Sequence, residues 1–247
     1  MPRFFISKEK ISESSLFIDG DDARHIARSL RMAVGDELTV CDGEGNEFIS
    51  SLTRIRDERC DLDIKESRRC EAEPVSKISL YMAYPKGDKL ELVVQKAVEL
   101  GAGEIVPFES SRCIKKPKAE KAQEKTARLC RIAEEAAKQC GRGILPKVTL
   151  PLSFSEAMKR AAEATLTLFC YEGNGTKTLK SILSELDTVP ESIAVIVGSE
   201  GGFSLDEAEE AASLGAVLAN LGPRILRCET APDYCLSAIS YHFELRK

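Results

Sequence analysis

Two short segments near the C-terminus hold the residue types that can do chemistry. The first, Gly198-Ser199-Glu200-Gly201-Gly202-Phe203, follows the apolar run Ile193-Ala-Val-Ile-Val197. The second is Leu221-Gly222-Pro223-Arg224-Ile225-Leu226-Arg227-Cys228-Glu229-Thr230-Ala231. Glycines after a buried strand let a ligand approach the backbone closely. An arginine steadies developing negative charge without titrating, and carboxylates can accept a proton. The first segment fits neither the P-loop pattern nor G-x-G-x-x-G, and it has no lysine to meet a triphosphate. The helix expected next opens Ser204-Leu205-Asp206-Glu207, a capping box whose oxygens fill the amide donors that would otherwise draw phosphate. Taken alone, the loop suits an adenosine ligand without phosphate and with a positive sulfonium, and it reads equally well as a plain glycine-rich turn.

The elements that must position these segments belong to a strand-helix alternation that begins after Lys77. Ile78 to Ala83, Ile105 to Phe108, Leu166 to Tyr171, Ile193 to Val197 and Val217 to Leu221 are short apolar runs, as in strands covered on both faces. Helical stretches lie between them at Leu90 to Leu100, Glu120 to Gln139, Phe154 to Ala164 and Leu205 to Leu214. This predicts an α/β domain over 77–247 with a mainly parallel sheet, and two loops after neighbouring strands can form two walls of one cleft. Residues 1–70 read mainly as β. Asp42-Gly43-Glu44-Gly45-Asn46 makes a hairpin between Glu37 to Cys41 and Glu47 to Ile55, Cys60 to Ile64 adds a strand, and Asp21 or Asp22 caps a helix carrying Ile26 and Leu30. Glu71 to Ser76, polar and with Pro74, reads as a linker.

Composition bounds the function. With 43% hydrophobic and 30% charged residues the chain can bury a real core, which excludes disorder, and no run approaches the apolar length of a membrane span. The expectation is a soluble, unexported, cytoplasmic protein with no membrane partner. Nine cysteines stand singly without a Cys-x-x-Cys pair, and only His25 and His242 accompany them. They read as reduced, small apolar residues, and no metal is expected. The net charge of -5 conceals a stretch, residues 110–147, that is +7. A polyanion responds to local potential, so this stretch reads either as a phosphate-facing surface or as a solvated helix face.

Ser199-Glu200-Gly201-Gly202 and Arg227-x-Glu229-Thr230-Ala231 together closely resemble the signature of the RsmE family in the SPOUT superfamily of RNA methyltransferases. Further colinear matches are His25-Ile-Ala-Arg-Ser-Leu-Arg31 with Val34-Gly-Asp36 and Asp42-Gly43, then Lys96-Ala-Val-Glu-Leu-Gly101 and Glu135-Ala-Ala-Lys-Gln-Cys-Gly-Arg142. The resemblance implies a small PUA-like RNA-binding β-barrel followed by a methyltransferase domain with a C-terminal trefoil knot. It implies a homodimer that methylates N3 of a uridine in 16S ribosomal RNA of the small subunit. It implies S-adenosylmethionine bound by Gly198, Ser199, Glu200, Gly201, Gly202, Leu221, Gly222, Ile225, Leu226 and Arg227. Arg227 and Glu229 become the candidate catalytic residues, with Arg227 favoured for charge on the uracil carbonyls and the general base left open; Glu229 and Glu200, the acids of the matched motifs, read equally as carboxylates that pair with Arg227 or cap backbone amides. Arg3, Arg24, Arg28, Arg31, Lys115, Lys116 and Arg142 become the candidate RNA contacts.

The apolar stripe Ala231, Cys235, Ala238, Ile239 and Phe243 of the last helix offers a dimer contact or packing within one subunit. Three departures stand out: Ser199 where the family usually has proline, which removes a fixed φ; Cys228 where it has threonine; and Pro232-Asp233-Tyr234 where it has small residues. Readings of another class are a non-catalytic RNA-binding assembly factor, and an oxidoreductase, which the missing dinucleotide fingerprint disfavours.

Overall fold

The structure is a computed structural model that describes residues 1–56, 58–114 and 119–244. Contacts divide it into two compact units, one made of Met1–Glu73 with Ala137–Leu145, the other of Pro74–Ala136 with Pro146–Lys247. The sequence suggested a division at a 71–76 linker; the structure adds that the segment from Ala137 to Leu145 returns to the first unit. Glu73 is the reason, because its carboxylate accepts from the Arg142 guanidinium at 2.7 Å and from the amides of Gly143 and Ile144 at 2.8 and 2.9 Å.

The first unit holds a five-stranded sheet: β1 (Arg3–Phe5), β2 (Ser15–Asp19), β3 (Glu37–Cys41), β4 (Asn46–Arg56) and β5 (Arg59–Arg69), in the order β1-β3-β4-β5-β2. All pairs are antiparallel except β1 with β3. Register shifts at Ile49/Ser50 and Leu52/Arg54 bend the long β4–β5 ribbon around a core that includes Phe4, Leu16, Ile18, Ile26, Leu38, Val40 and Leu62. The hairpin loop forms as read: Asp42 Oδ1 accepts from the amides of Glu44 and Asn46 at 2.8 and 3.1 Å. The helix differs from its sequence reading. α1 (Gly20–Arg24) starts after Asp19, with no side-chain cap, and continues as a π-helical turn over His25–Ser29, so Ile26 is buried while Leu30 is exposed.

The second unit is built on an eight-stranded sheet: β6 (Lys77–Ala83), β7 (Glu104–Glu109), β8 (Lys147–Val148), β9 (Leu152–Ser153), β10 (Leu166–Cys170), β11 (Lys177–Thr178), β12 (Ser192–Val197) and β13 (Val217–Asn220). The order is β11-β13-β10-β12-β6-β7-β8, with β9 also on β7, and every pairing is parallel. The helices are α2 (Lys89–Glu99), α3 (Ala119–Cys140), α4 (Phe154–Ala161), α5 (Leu179–Ser184), α6 (Leu205–Ser213) and α7 (Thr230–Phe243). Leu80, Val106, Leu168, Val195 and Ile196 are buried along the central strands, as parallel strands covered on both faces require. Pro232 falls in the first turn of α7, where a missing donor costs least. Of the α7 stripe, Ala231, Cys235 and Ile239 are buried, with α7 packed on α2 and β12, while Ala238 and Phe243 are half-buried. Among the described residues no helix is long and apolar enough to cross a membrane.

Candidate functional site

Strands β13, β10, β12 and β6 are neighbours in the sheet, so their carboxyl ends lie side by side where open α/β sheets collect ligands. A cleft of about 770 Å³ opens there. Its walls are residues 170–173 after β10, 197–203 after β12 and 219–228 at and after β13, with Lys89, Arg112 and Ala231 added. Gly198, Ser199, Glu200, Gly201, Gly202, Leu221, Gly222, Ile225, Leu226 and Arg227 all line it.

The loop after β12 is shaped by close packing. Gly202 N donates to Ser199 O at 2.9 Å, which closes a tight turn without proline. A side chain at Gly201 would place Cβ 2.9 Å from Arg112 Cβ and 3.0 Å from its carbonyl oxygen; Arg112 also donates to Gly201 O at 3.1 Å. Phe203 anchors the far end, its ring centroid 4.2 Å from that of Phe169 and 6.3 Å from those of Phe108 and Phe154. Ser204 and Glu207 then form the predicted capping box, Oγ accepting at 3.2 Å and Oε2 at 2.9 Å. The Ser204 and Glu207 amides are thereby engaged, and the Glu207 carboxylate already occupies the place where a phosphate would approach.

The charged groups converge on a residue the sequence reading missed. Lys89 Nζ lies 3.1 Å from Glu200 Oε1 and 3.1 Å from Glu229 Oε2. Glu200 also accepts from the Lys86 amide at 3.1 Å, and the Cys228 thiol donates to Glu229 Oε2 at 3.2 Å. These two carboxylates raise Lys89 to about 12, Glu229 first and Glu200 second. Burial pushes the Cys228 thiol up to about 12, with Glu229 adding to it, so it is a donor in place of the family's hydroxyl and not a thiolate. Glu229 is held below the usual carboxylate range, chiefly by its own amide. Burial raises Glu200, but its own amide, Lys89 and the Lys86 amide overcome this and lower it.

Arg227 and Glu229 are therefore not paired with each other. The Arg227 side chain is exposed on the cleft wall, whereas Glu229 lies outside the cleft lining, behind Lys89. Lys89 was legible only through the rule that strand carboxyl ends collect ligands, applied to β6; the same rule applied to β10 finds Tyr171 and Gly173, whose packing leaves no room for a Cβ on the glycine.

The expected RNA contacts divide. Arg142 is 3% exposed and locked to Glu73, and Arg3 is half-buried, paired with Glu47 at 2.9 Å. Both are internal ion pairs and not surface phosphate contacts: Arg3 serves the buried Glu47, and Arg142 is itself buried against the half-buried Glu73. Arg24 is exposed and pairs with Asp21 and Glu58; Arg28 and Arg31 are exposed. Arg31 has φ +52°, a left-handed conformation rare for a residue with a side chain. Lys115 and Lys116 lie outside the described residues. Within the +7 segment, Arg128 pairs with Glu91 at 2.7 Å while staying exposed, and Lys138 pairs with Asp22 at 3.4 Å. Among the described residues no group of three or more His, Cys, Asp or Glu side chains could hold a metal ion.

The cleft at the carboxyl ends of a parallel sheet, on a chain with a small bent β-sheet unit, is the setting in which similarity to known domains gives the class, an RNA methyltransferase. The family of RNA methyltransferase domains matches residues 71–240, and the RNA methyltransferase PUA domain matches residues 18–65. The chain is 36% identical over 251 residues to the ribosomal RNA small subunit methyltransferase E of Bacillus subtilis, covering 99% of this chain and 98% of the relative. A crystal structure described as a hypothetical protein matches with a TM-score of 0.90 at 35% identity, covering 99% of this chain and 100% of that one. The Neisseria gonorrhoeae ribosomal RNA small subunit methyltransferase E, bound to S-adenosyl methionine, matches with a TM-score of 0.85 at 29% identity over 97% of each chain. The chain belongs to the ribosomal RNA small subunit methyltransferase E family.

Proposed function

We propose that this chain uses S-adenosylmethionine to methylate N3 of a specific uridine in 16S ribosomal RNA, within the small ribosomal subunit, and does so in the cytoplasm. The observation that carries the reading is the convergence of the two signature loops on one cleft in a full-length relative of methyltransferases. The residues fit the cofactor. The backbone packs tightly at Gly198 and Gly201, where a Cβ would meet the Gly202 backbone at 3.1 Å and Arg112 at 2.9 Å, the Ser204–Glu207 capping box occupies two of the amides at the start of α6, and the Glu200 carboxylate lines the cleft beside Lys89. The bound cofactor supplies an electrophilic methyl carbon.

The chain's own contribution is positioning and charge control. Residues 198–202, 221–222 and 225–227 hold the cofactor. The Arg227 guanidinium donates to a uracil carbonyl oxygen as N3 loses its proton and charge spreads onto the flanking oxygens. Glu229 acts through Lys89. Exposed Arg24, Arg28 and Arg31 meet RNA phosphates. A second copy completes the cleft, seated on the exposed face of α7 that bears Tyr234 and Tyr241, and the trefoil knot threads the chain that leads into α7.

The test is transfer from labelled S-adenosylmethionine to small subunits lacking the modification, followed by nucleoside mass analysis. The expected product is 3-methyluridine at one position. Tight RNA binding with no transfer at any cofactor concentration would replace this reading with a non-catalytic assembly factor.

A further inference from the structure

We propose that Lys89 is a positioning residue: it ties the loop after β12 to the loop that leads into α7, and so holds the cleft in its cofactor-binding shape. The proposal rests on the reading of the cleft as an S-adenosylmethionine site. Lys89 is the first residue of α2, and the N-cap residue Asp88 makes no side-chain cap. A cation is disfavoured at a helix N-terminus, where the macrodipole is positive, so the local rule is broken at this position. What offsets the break is tertiary. The ammonium sits between Glu200 and Glu229, 3.1 Å from each, and the two carboxylates come from separate segments, the loop after β12 and the start of α7.

The other groups that face these carboxylates are their own backbone amides, the Lys86 amide on Glu200 and the Cys228 thiol on Glu229. None of these carries charge, so Lys89 is the cation that offsets their mutual repulsion. Without it, two like charges confront each other and the segments that carry them part. Lys89 is partly exposed along the cleft, so its effect reaches the ligand through loop placement and not through folding of the core.

The test uses S-adenosylhomocysteine, which binds the same cleft without the sulfonium charge and separates wall placement from simple attraction. The intact protein, Lys89→Met and Lys89→Arg are titrated calorimetrically at about pH 7.5 and about pH 5.5, with melting temperatures alongside. Lys89→Met is expected to bind about tenfold more weakly at the higher pH, the scale of one lost charge-assisted contact. The deficit should narrow at the lower pH. Loss of the cation raises both carboxylates, and a proton shared between them then relieves the repulsion. Lys89→Arg should restore most of the affinity, which also serves if Lys89→Met folds poorly. Unchanged affinity in Lys89→Met, or a loss equal at both pH values and not restored by arginine, overturns the proposal. An intact protein that binds no S-adenosylhomocysteine overturns the reading of the cleft, and this proposal with it.

Discussion

The Ser111 amide donates to Glu207 Oε1 at 2.7 Å, while the other oxygen of the same carboxylate caps α6 through Ser204 N. One buried carboxylate thus fixes both the start of the helix after the glycine loop and the chain beside Arg112, which packs on Gly201. Glu207→Ala is expected to lower stability by about 2–3 kcal/mol, from a lost cap and an orphaned amide. Glu207→Gln should cost less, since its amide oxygen keeps one acceptor. Urea unfolding midpoints of the two variants check the order.

Arg227 is exposed on the cleft wall and its backbone oxygen, not its side chain, starts α7 by accepting from Thr230 and Ala231 at 2.8 and 2.9 Å. Arg227→Ala should therefore leave stability within about 0.5 kcal/mol of the parent. Single-turnover methyl transfer should slow by roughly 10²-fold or more, the scale of one preorganised donor. Near-normal transfer by a stable, cofactor-bound variant would remove Arg227 from the chemistry.

Arg142 and Arg31 separate stability from RNA binding. Arg142→Met leaves the half-buried Glu73 without its guanidinium but with the Gly143 and Ile144 amides, and should cost about 1–3 kcal/mol. Arg31→Gly relaxes a left-handed backbone and should hold or raise stability by up to about 1 kcal/mol, while RNA affinity falls. Thermal melts paired with RNA titrations at fixed salt give both readouts; undiminished RNA affinity in Arg31→Gly would dissociate that arginine from RNA.

Asp233 carries a buried oxygen, Oδ1, without a hydrogen-bond partner among the described residues, and burial raises its carboxyl above the usual range. A raised acid favours the folded state when protonated, so the stabilising contribution is present below the unfolded pKa and is lost as pH rises through the folded one. Asp233→Asn should accordingly melt higher than the parent at pH 7, with the gap closing towards pH 3–4. Melting temperatures across that range check the sign; a gap that widens on acidification would contradict it.

Several features were legible in the sequence because they depend on near neighbours in the chain. The apolar runs from Ile78 to Leu221 specify a parallel sheet, since strands buried on both faces need unbroken apolar sequence. The glycine loop, the Ser204–Glu207 capping box and the Asp42–Asn46 hairpin are local geometry and formed as read. The signature residues of the cleft were visible for the same reason, as two contiguous segments.

Tertiary structure decided the rest. Arg142 reads as one more charge in a basic stretch until Glu73, far away in sequence, buries and neutralises it. The stripe on α7 fits a dimer or a core equally until α2 and β12 are seen to cover it. Lys89 belongs to no sequence motif, and only its place after β6 points to it, because its meaning lies in two carboxylates more than a hundred residues away in the chain. Charge and burial act through distance in space, which a one-dimensional count cannot measure; propensity and capping act within a few residues, which it can.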